Sequence, residues 1–430
     1  MTSATPTPVV RERPLPPAGL PTPNALPEGR RAPPAELSQL VRRVSSALDE
    51  LRQRAQAVAA RYPADRDVRT LLAGLLYAAG EDTLACAEYR SLLESAPPNE
   101  RRRIQRGIRD CEPDPEYLTP GFLTYLNTQK FGLPHHRTYL FRDLERGRQL
   151  VRLLQTRTSL RGKRVLDVGS SHGGTVMALA EAGAQAAGVE IDPRRSQVGR
   201  ERVRELGFDI EWHTGDFGDP GVARRLGTFD GIICQDVLEH VMNPDRVIRH
   251  LAQLLRPGGF IYFAVPNKYS PEFILADHHY MLMGISLLAR AQGEEYFERA
   301  TGTPACHYGV GFYRTEKYYR AAFARCGVAI EHTEDYATPA HVLWYAPAIS
   351  ALAERLGTAA DPRLRTELNL RILRRGRKVV ELYVHSSRVL KALENHPEQL
   401  ALACQMIVNR ICVAVWRFFG VKGKLPASAE

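Results

Sequence analysis

The chain has 430 residues, 44% of them hydrophobic and 25% charged, so it is long enough for two or three domains with ordinary cores and is not globally disordered. The formal net charge is +10, but only eight of the 58 basic residues are lysine, and a preference for arginine does not by itself indicate a nucleic-acid surface. The seven cysteines include no CxxC pair, which disfavours a disulfide framework or a structural zinc site and favours a reducing cytosol.

The N-terminal segment is rich in proline. Residues 1–36 hold ten of the 29 prolines and little that could form a core, which predicts a flexible leader. The first twenty residues lack the basic head and apolar stretch of a secretory signal, so we expect a cytoplasmic protein. From Glu36 to Pro63, apolar residues recur every three to four positions and predict one amphipathic helix.

The next stretch, "RDVRTLLAGLLYAAGEDTLACAEYRSLLESAPPN", resembles a single tetratricopeptide unit. The resemblance rests on small residues, a turn glycine, an aromatic and a closing proline at the family's spacing: Ala73, Gly80, Ala85, Tyr89 and Pro97. One repeat cannot bury its own face, so neighbouring helices must complete it. We interpret residues 37–112 as a helical module that binds a protein partner or self-associates, or as a plain helical cap on the following domain.

Residues 113–160 form a connector with many aromatic side chains, among them Phe122, Tyr125, Tyr139 and Phe141. Such a segment, placed just before a nucleotide-binding domain, can cover the cofactor as a lid, or it can simply pack against the domain.

Residues 161–336 alternate between β and α patterns. Short apolar runs predict six strands: "RVLDVG", "AAGVEI", "DIEWHTG", "FDGIICQ", "GFIYFAVP" and "VAIEHTED". The helical stretches between them predict an α/β fold, a doubly wound and mostly parallel Rossmann-like sheet covered on both faces. Ligands of such sheets bind at the carboxyl ends of the strands.

The loop after the first strand, "VLDVGSSHGGT", is ambiguous. Gly169, Ser171 and Gly174 match the dinucleotide fingerprint with serine in place of the middle glycine, whereas Asp167, Gly169, Ser171 and Gly173 match the methyltransferase loop with the same change. An acid about twenty residues on, which Glu190 supplies, can bind ribose hydroxyls in either class.

Later motifs decide between the two classes. "HTGDF" places Asp216 and Phe217 after the third strand, and "FDGIICQDVLEHVMNP" leads through a helix to "LRPGG" before the fifth strand. With these features, residues from Leu160 to Asp335 resemble the class I S-adenosylmethionine-dependent methyltransferases, and most of all the branch that contains the O-methyltransferases of ubiquinone biosynthesis.

The resemblance implies S-adenosylmethionine as the cofactor. The residues that it implies as contacts follow the first four strands: Asp167, Gly169, Ser170, Ser171, Gly173, Glu190, Ile191, Asp216, Phe217 and Gln235. Asp167 and the loop backbone would hold the methionine moiety, Glu190 the ribose, and Asp216 with Phe217 the adenine. Ser171 departs from the pattern, because serine stands where the family has glycine. Its Cβ would narrow the approach of the ligand to the loop backbone, and its hydroxyl could hydrogen-bond the ligand.

Methyl transfer to a hydroxyl needs a base, and three histidines are candidates. His240 follows the fourth strand, and His278 and His279 lie in an insertion over residues 268–313. No metal site is assigned, although Asp236, Glu239 and His240 have the types and spacing to hold a divalent ion that would lower the pKa of a bound hydroxyl.

The acceptor is predicted only by class. The segment Gln235-Asp236-Val237-Leu238 stands where base-amino methyltransferases of nucleic acid carry Asn/Asp-Pro-Pro-aromatic, so nucleic acid is not expected as a partner. Aromatic residues of the 268–313 insertion favour a bulky small-molecule acceptor, such as a lipid, quinone, polyketide or glycan, or else form a domain core. The alternative function is an interaction or scaffold protein with a vestigial methyltransferase domain.

The C-terminal region, residues 337–430, is predicted to be a helical appendage. One basic helix spans "RTELNLRILRRGRKVVELYVHSSRVLKALE", and a last apolar helix is predicted to run to about Phe419. Besides packing on the sheet, these helices can mediate oligomerisation or peripheral contact with the inner face of a membrane.

Overall fold

A computed structural model describes residues 65–78, 82–111, 118–128, 139–358 and 366–423, together with positions 53, 57, 60 and 61, which are helical. The predicted leader at 1–36 and most of the helix predicted from Glu36 to Pro63 lie outside these residues. No helix in the described ranges is both long enough and apolar enough to cross a bilayer.

A seven-stranded sheet organises the chain, in the order β3-β2-β1-β4-β5-β7-β6. Its strands are β1 Arg164–Val168, β2 Gln185–Glu190, β3 Glu211–Thr214, β4 Phe229–Gln235, β5 Leu255–Pro266, β6 Val328–His332 and β7 Val415–Lys422. The first five pair in parallel, and β1 lies centrally, with Asp167 opposite Gly188 and Ile233. The predicted fold class, a doubly wound and mostly parallel α/β sheet, is confirmed.

Helices cover both faces of the sheet. Those around β1 to β5 are α5 Asp143–Gln155, α6 Gly174–Glu181, α7 Pro193–Glu205, α8 Pro220–Leu226, α9 Pro244–Leu254 and α12 Glu316–Ala324. Three of them begin with an acceptor side chain followed by proline, at Asp192, Asp219 and Asn243, each of which accepts a backbone N–H of the first turn. Separate buried clusters lie on the two faces, one with Leu150 and Val176, the other with Leu251 and Phe323.

The chain after Ile407 differs from the prediction. Helix α16, Pro397–Ile407, continues as a π-helical turn over Val408–Cys412, and β7 then enters the sheet antiparallel to both β5 and β6. The predicted helix to about Phe419 is therefore wrong in its second half. The reason is that Trp416 and Phe418 alternate into the core, yet this strand follows a helix of the same apolar character without a glycine or proline to mark the change.

The N-terminal helices are α1 Arg66–Ala78, α2 Asp82–Glu94, α3 Pro98–Cys111 and α4 Pro120–Thr128. Ala73 and Ala85 are fully buried between neighbouring helices, and a Cβ on Gly107 would lie 2.6 Å from the Tyr89 ring, so α3 packs closely on α2. Helix α3 thus covers the hairpin formed by α1 and α2, which a single two-helix repeat needs in order to bury its apolar face. Gly80 lies outside the described residues, and the tetratricopeptide interpretation stays a prediction.

The remaining helices lie in the insertion and the C-terminal region. They are α10 Pro271–Leu275, α11 Arg290–Thr301, α13 Pro339–Trp344, α14 Ala346–Thr358 and α15 Thr366–Ala392. The insertion has its own core of buried aromatic rings, to which α15 adds Leu368 and Ile372. The C-terminal helices therefore pack against the element predicted to bind the acceptor.

Candidate active site

The loop between β1 and α6 turns through left-handed backbone. Gly169, Ser171 and Gly173 have φ values of 81°, 48° and 92°. A Cβ on Gly169 would lie 2.5 Å from Cγ2 of Val237, so only glycine fits where the loops after β1 and β4 meet. Ser171 takes a conformation that glycine normally occupies, and its hydroxyl lies 2.9 Å from Nδ1 of His172.

Glu190 ends β2 and joins this loop. Its carboxylate is buried and accepts N–H groups from Ser171 and Asp192, each at 2.9 Å. Since each carboxylate oxygen has a second lone pair, Glu190 keeps acceptor capacity for ligand hydroxyls. The next side chain, Ile191, is 62% exposed, which leaves an apolar surface beside the acid.

The residues after β3 correct one prediction. Asp216 is exposed, and its Oδ1 accepts the Gly218 N–H at 2.7 Å. The Phe217 ring, by contrast, is buried and packs edge-on against His250 with 6.1 Å between ring centroids. Phe217 is thus a core residue and does not present its ring to a ligand, which leaves Ile191 as the exposed apolar side chain near the acids.

Two further groups of the loop are buried and have shifted pKa values. Burial, and then the neighbouring Glu190 charge, raises the pKa of Asp167 to about 7. Burial lowers the pKa of His172 to about 4, and its Nε2 has no hydrogen-bond partner among the described residues. The His172 ring packs against Phe122 and Tyr125 of α4, so these two connector aromatics pack against the domain and do not form a lid.

Another part of the connector, with Tyr139, reaches the turn after β4, and it brings Arg146, which the sequence pattern did not indicate. The Tyr139 hydroxyl donates to Oδ2 of Asp236 at 3.2 Å, directly after β4. The Arg146 guanidinium lies 3.2 Å from the Tyr139 ring centroid, and its buried Nε has no partner among the described residues. Close contact between Gly147 of α5 and Gly174 of α6 places these side chains beside the cofactor loop.

The turn after β4 and the insertion bring three candidate ligands together. One side-chain atom from each of Glu239, His240 and His279 lies within 4.8 Å of the others. Nδ1 of His240 lies 3.0 Å from the Gly309 carbonyl, which can only accept, so this nitrogen carries the proton. The Nε2 lone pair of His240 is therefore available.

His279 is oriented in a similar way. Its Nδ1 lies 2.9 Å from the Tyr313 hydroxyl, which donates to Oδ2 of Asp277 at 3.1 Å. Because the hydroxyl proton is used for Asp277, His279 donates from Nδ1 and also keeps Nε2 as an acceptor. The two imidazoles lie edge to face with 4.9 Å between centroids. Desolvation, and then His279, lowers the pKa of His240 to about 4.

Glu239 is 1% exposed, and its Oε2 has no hydrogen-bond partner among the described residues. Burial, and then the Asp236 charge, raises the pKa of Glu239 well above its usual value. The Glu239 carbonyl accepts N–H groups from Gly311 and Phe312, which ties the end of the insertion to this turn. A buried carboxyl oxygen without a partner, close to two imidazoles, can accept a cation or a polar group of a ligand.

The other predicted site residues are not members of this cluster. His278 is directed toward Glu272 at 4.0 Å, and Asp236 is bonded to Tyr139, so neither belongs to the group of three. The metal hypothesis named Asp236 as the third ligand, and in the structure His279 stands there instead. Gln235 is half-buried at the end of β4.

Most aromatic side chains of the insertion belong to its core. Five of them are buried together there: Tyr280, Tyr296, Phe297, Tyr308 and Tyr313. Their burial favours the second of the two interpretations of these rings, a domain core, over a wall of the acceptor site.

Comparison with known proteins agrees with the motifs. Residues 135–333 match a family described as "Methyltransferase domain". A ubiquinone biosynthesis O-methyltransferase of Thiobacillus denitrificans is 33% identical over 126 residues, which cover 29% of this chain and 54% of that protein. The corresponding enzyme of Xanthomonas euvesicatoria is 34% identical over 137 residues, which cover 32% of this chain and 55% of that protein. The chain thus spans about half the length of the curated relatives it matches.

Among solved structures, magnesium protoporphyrin IX methyltransferase from Synechocystis with bound SAH is 22% identical, with 45% of this chain and 78% of that chain covered and a TM-score of 0.32. Likeness at that level is no guide to function. The family match and the sheet topology lead to one conclusion: residues 135–333 are similar to methyltransferase domains and have the α/β, Rossmann-like fold of S-adenosylmethionine-dependent methyltransferases.

Proposed function

We propose that the protein transfers a methyl group from S-adenosylmethionine to a hydroxyl oxygen of a small-molecule acceptor. The observation that carries this proposal is the cluster of Glu239, His240 and His279 at the carboxyl end of β4, in which hydrogen bonds at Nδ1 leave Nε2 of each imidazole as an acceptor. The names of the relatives from Thiobacillus and Xanthomonas support oxygen as the methylated atom.

The residues present fit the cofactor. Arg146 of α5 and His172 of the loop after β1 each have a buried side-chain nitrogen without a partner among the described residues. A carboxylate such as that of methionine would satisfy a buried guanidinium N–H. Glu190 and Asp216 offer acceptor oxygens to ribose and adenine donors, and Ile191 offers an exposed apolar contact. When bound, S-adenosylmethionine supplies a methyl group already activated on a sulfonium.

The protein then has to align the acceptor and remove its proton. His240 or His279 takes the hydroxyl proton at Nε2 while the acceptor oxygen bonds to the methyl carbon. The Gly309 carbonyl and the Tyr313–Asp277 pair accept the Nδ1 protons of the two rings and stabilise the imidazolium that forms. Asp277 also accepts N–H groups from His279, Tyr280 and Leu282, which holds the insertion loop in this geometry.

The same three side chains also fit a divalent metal ion. Two imidazoles whose other nitrogens donate to protein acceptors, with one unpartnered carboxylate oxygen, form a ligand set typical of such sites. Glu239, His240 and His279 would hold the ion, which would lower the pKa of a bound acceptor hydroxyl. Elemental analysis of the purified protein and of Glu239→Gln tests this arrangement, and activity that chelation and Glu239→Gln both leave unchanged would exclude it.

The experiment for the main proposal uses methyl-labelled S-adenosylmethionine and a panel of phenols, quinols and sugars. We expect a labelled methyl ether, and we expect His279→Gln to lower kcat by roughly a factor of 10² to 10⁴ while binding of the cofactor is retained. His278→Gln is the matched control, since this adjacent histidine lies outside the cluster. Label on nitrogen or carbon, or full activity of both His240→Gln and His279→Gln, would contradict the proposal.

A further inference from the structure

The outer face of helix α15 carries a row of cations. Between positions 370 and 391 the helix has seven basic residues and a single acid, Glu381. Five of the cations are exposed and have no ion-pair partner among the residues that the structure describes: Arg374, Arg377, Lys378, Arg388 and Lys391. The net positive charge of this face therefore favours an anionic partner.

Apolar side chains alternate with the cations on the same face. Leu370, Val384 and Val389 are exposed, although the helix buries Ile372, Val379 and Tyr383 on its other side. Positions 370, 374, 377, 381, 384, 388 and 391 recur every three to four residues, so they form one stripe along the helix. Nucleic acid would neutralise the cations without removing these apolar side chains from water, whereas the surface of a bilayer with anionic headgroups does both.

Helices that pack against α15 add further exposed apolar groups. Leu402 and Met406, one turn apart on α16, are 62% and 59% exposed. Leu343 and Trp344 are exposed on α13, whose Val342 carbonyl accepts the Tyr383 hydroxyl of α15 at 2.8 Å. Tryptophan is a residue type that favours the interfacial zone of a bilayer.

We propose that the outer face of α15, with the exposed apolar side chains of α13 and α16, binds the surface of a bilayer that contains anionic phospholipid. Arginine and lysine would contact the headgroups, and the apolar side chains would enter the acyl boundary. This inference goes beyond the proposed function and does not depend on it, because binding to vesicles requires no turnover.

The inner face of α15 connects this surface to the site. Leu368 and Ile372 pack into the aromatic core of the insertion, and Arg375 donates to the Leu287 carbonyl. A membrane-bound α15 would thus hold the insertion, which carries His279, close to the bilayer. An amphiphilic acceptor dissolved in the membrane would then reach the site over a short distance.

The test is co-sedimentation of the full chain with vesicles of phosphatidylcholine alone or mixed with phosphatidylglycerol. We expect binding only to the mixed vesicles, weaker at high salt. The triple variant Arg374→Gln, Arg377→Gln, Lys378→Gln should lose roughly a hundredfold in affinity, since each cation near an anionic surface contributes about a factor of five. Leu402→Ser with Met406→Ser should also weaken binding, with the salt dependence retained.

The matched control is Arg200→Gln, Arg204→Gln, Arg224→Gln, which removes three exposed cations from α7 and α8 and the same net charge. This control should bind vesicles like the unaltered protein. Equal loss in both triple variants, equal binding to neutral vesicles, or no binding to either kind would overturn the proposal. So would binding to single-stranded RNA that depends on Arg374, Arg377 and Lys378 in the absence of vesicle binding.

Discussion

Ser171 offers a direct test of the cofactor loop, because two opposing effects meet at this residue. Its φ of 48° lies in the left-handed region, which costs a residue with a Cβ about 1–2 kcal/mol. Its hydroxyl lies 2.9 Å from Nδ1 of the buried His172, and removal of that partner costs about 1–3 kcal/mol. Ser171→Ala keeps the strain and loses the hydrogen bond, so we expect its free energy of unfolding to fall by about 1–3 kcal/mol.

Ser171→Gly loses the same hydrogen bond but relieves the strain. The greater freedom of glycine in the unfolded chain offsets about 0.5–1 kcal/mol of that relief. We therefore expect the glycine variant to be more stable than the alanine variant by about 0–1.5 kcal/mol. Urea denaturation measures this difference. A glycine variant less stable than the alanine variant would refute the reasoning. Because the hydroxyl is paired with His172, calorimetry should show that Ser171→Gly leaves the affinity for S-adenosylmethionine unchanged.

Three further predictions concern neighbouring groups. The pKa of Asp167 is raised to about 7, and a cationic ligand favours the ionised form of this carboxyl. The affinity for S-adenosylmethionine should therefore fall as the pH drops below about 7 and stay constant above it. Calorimetry that gives equal affinity below and above this pH would count against the prediction. Tyr139→Phe removes only the hydroxyl that donates a hydrogen bond to Asp236, and we expect a higher KM for the cofactor with little change in stability. The control is Tyr383→Phe, which removes a hydroxyl remote from the site and should leave KM unaltered. Asp143→Ala removes the carboxylate oxygen that lies 2.7 Å from the buried Arg202 guanidinium, which should lower the free energy of unfolding by about 3–5 kcal/mol. A loss below about 1 kcal/mol in urea denaturation would show that water reaches this pair.

The central sheet could be predicted from the sequence because each strand ends in a recognisable turn. The bounds predicted for β4 are those of the structure, and the helix predicted between "VMNP" and "LRPGG" is present as Pro244–Leu254. Strand β7 could not be predicted in this way, since its partners are β5 and β6, far away in the sequence, and its local pattern continues that of the preceding helix.

The site was predictable where it depends on local motifs and not where it depends on packing between distant segments. Gly169 and Glu190 follow from the loop pattern, and the structure brings them to the same turn. The Tyr139–Asp236 contact joins residues 97 positions apart, and the choice of His279 over His278 depends on the Asp277 and Tyr313 hydrogen bonds. Two adjacent histidines have no sequence signal that says which of them faces inward.

Binding of S-adenosylmethionine to the purified full chain tests the central claim most directly. Isothermal titration should show one site per chain. Asp216→Ala should weaken binding by about tenfold, the equivalent of one lost hydrogen bond. The control Asp209→Ala changes an exposed acid just before β3, at the opposite end of that strand, and should bind like the unaltered protein. Folded protein that shows no binding, or equal binding by Asp216→Ala and Asp209→Ala, would contradict the account.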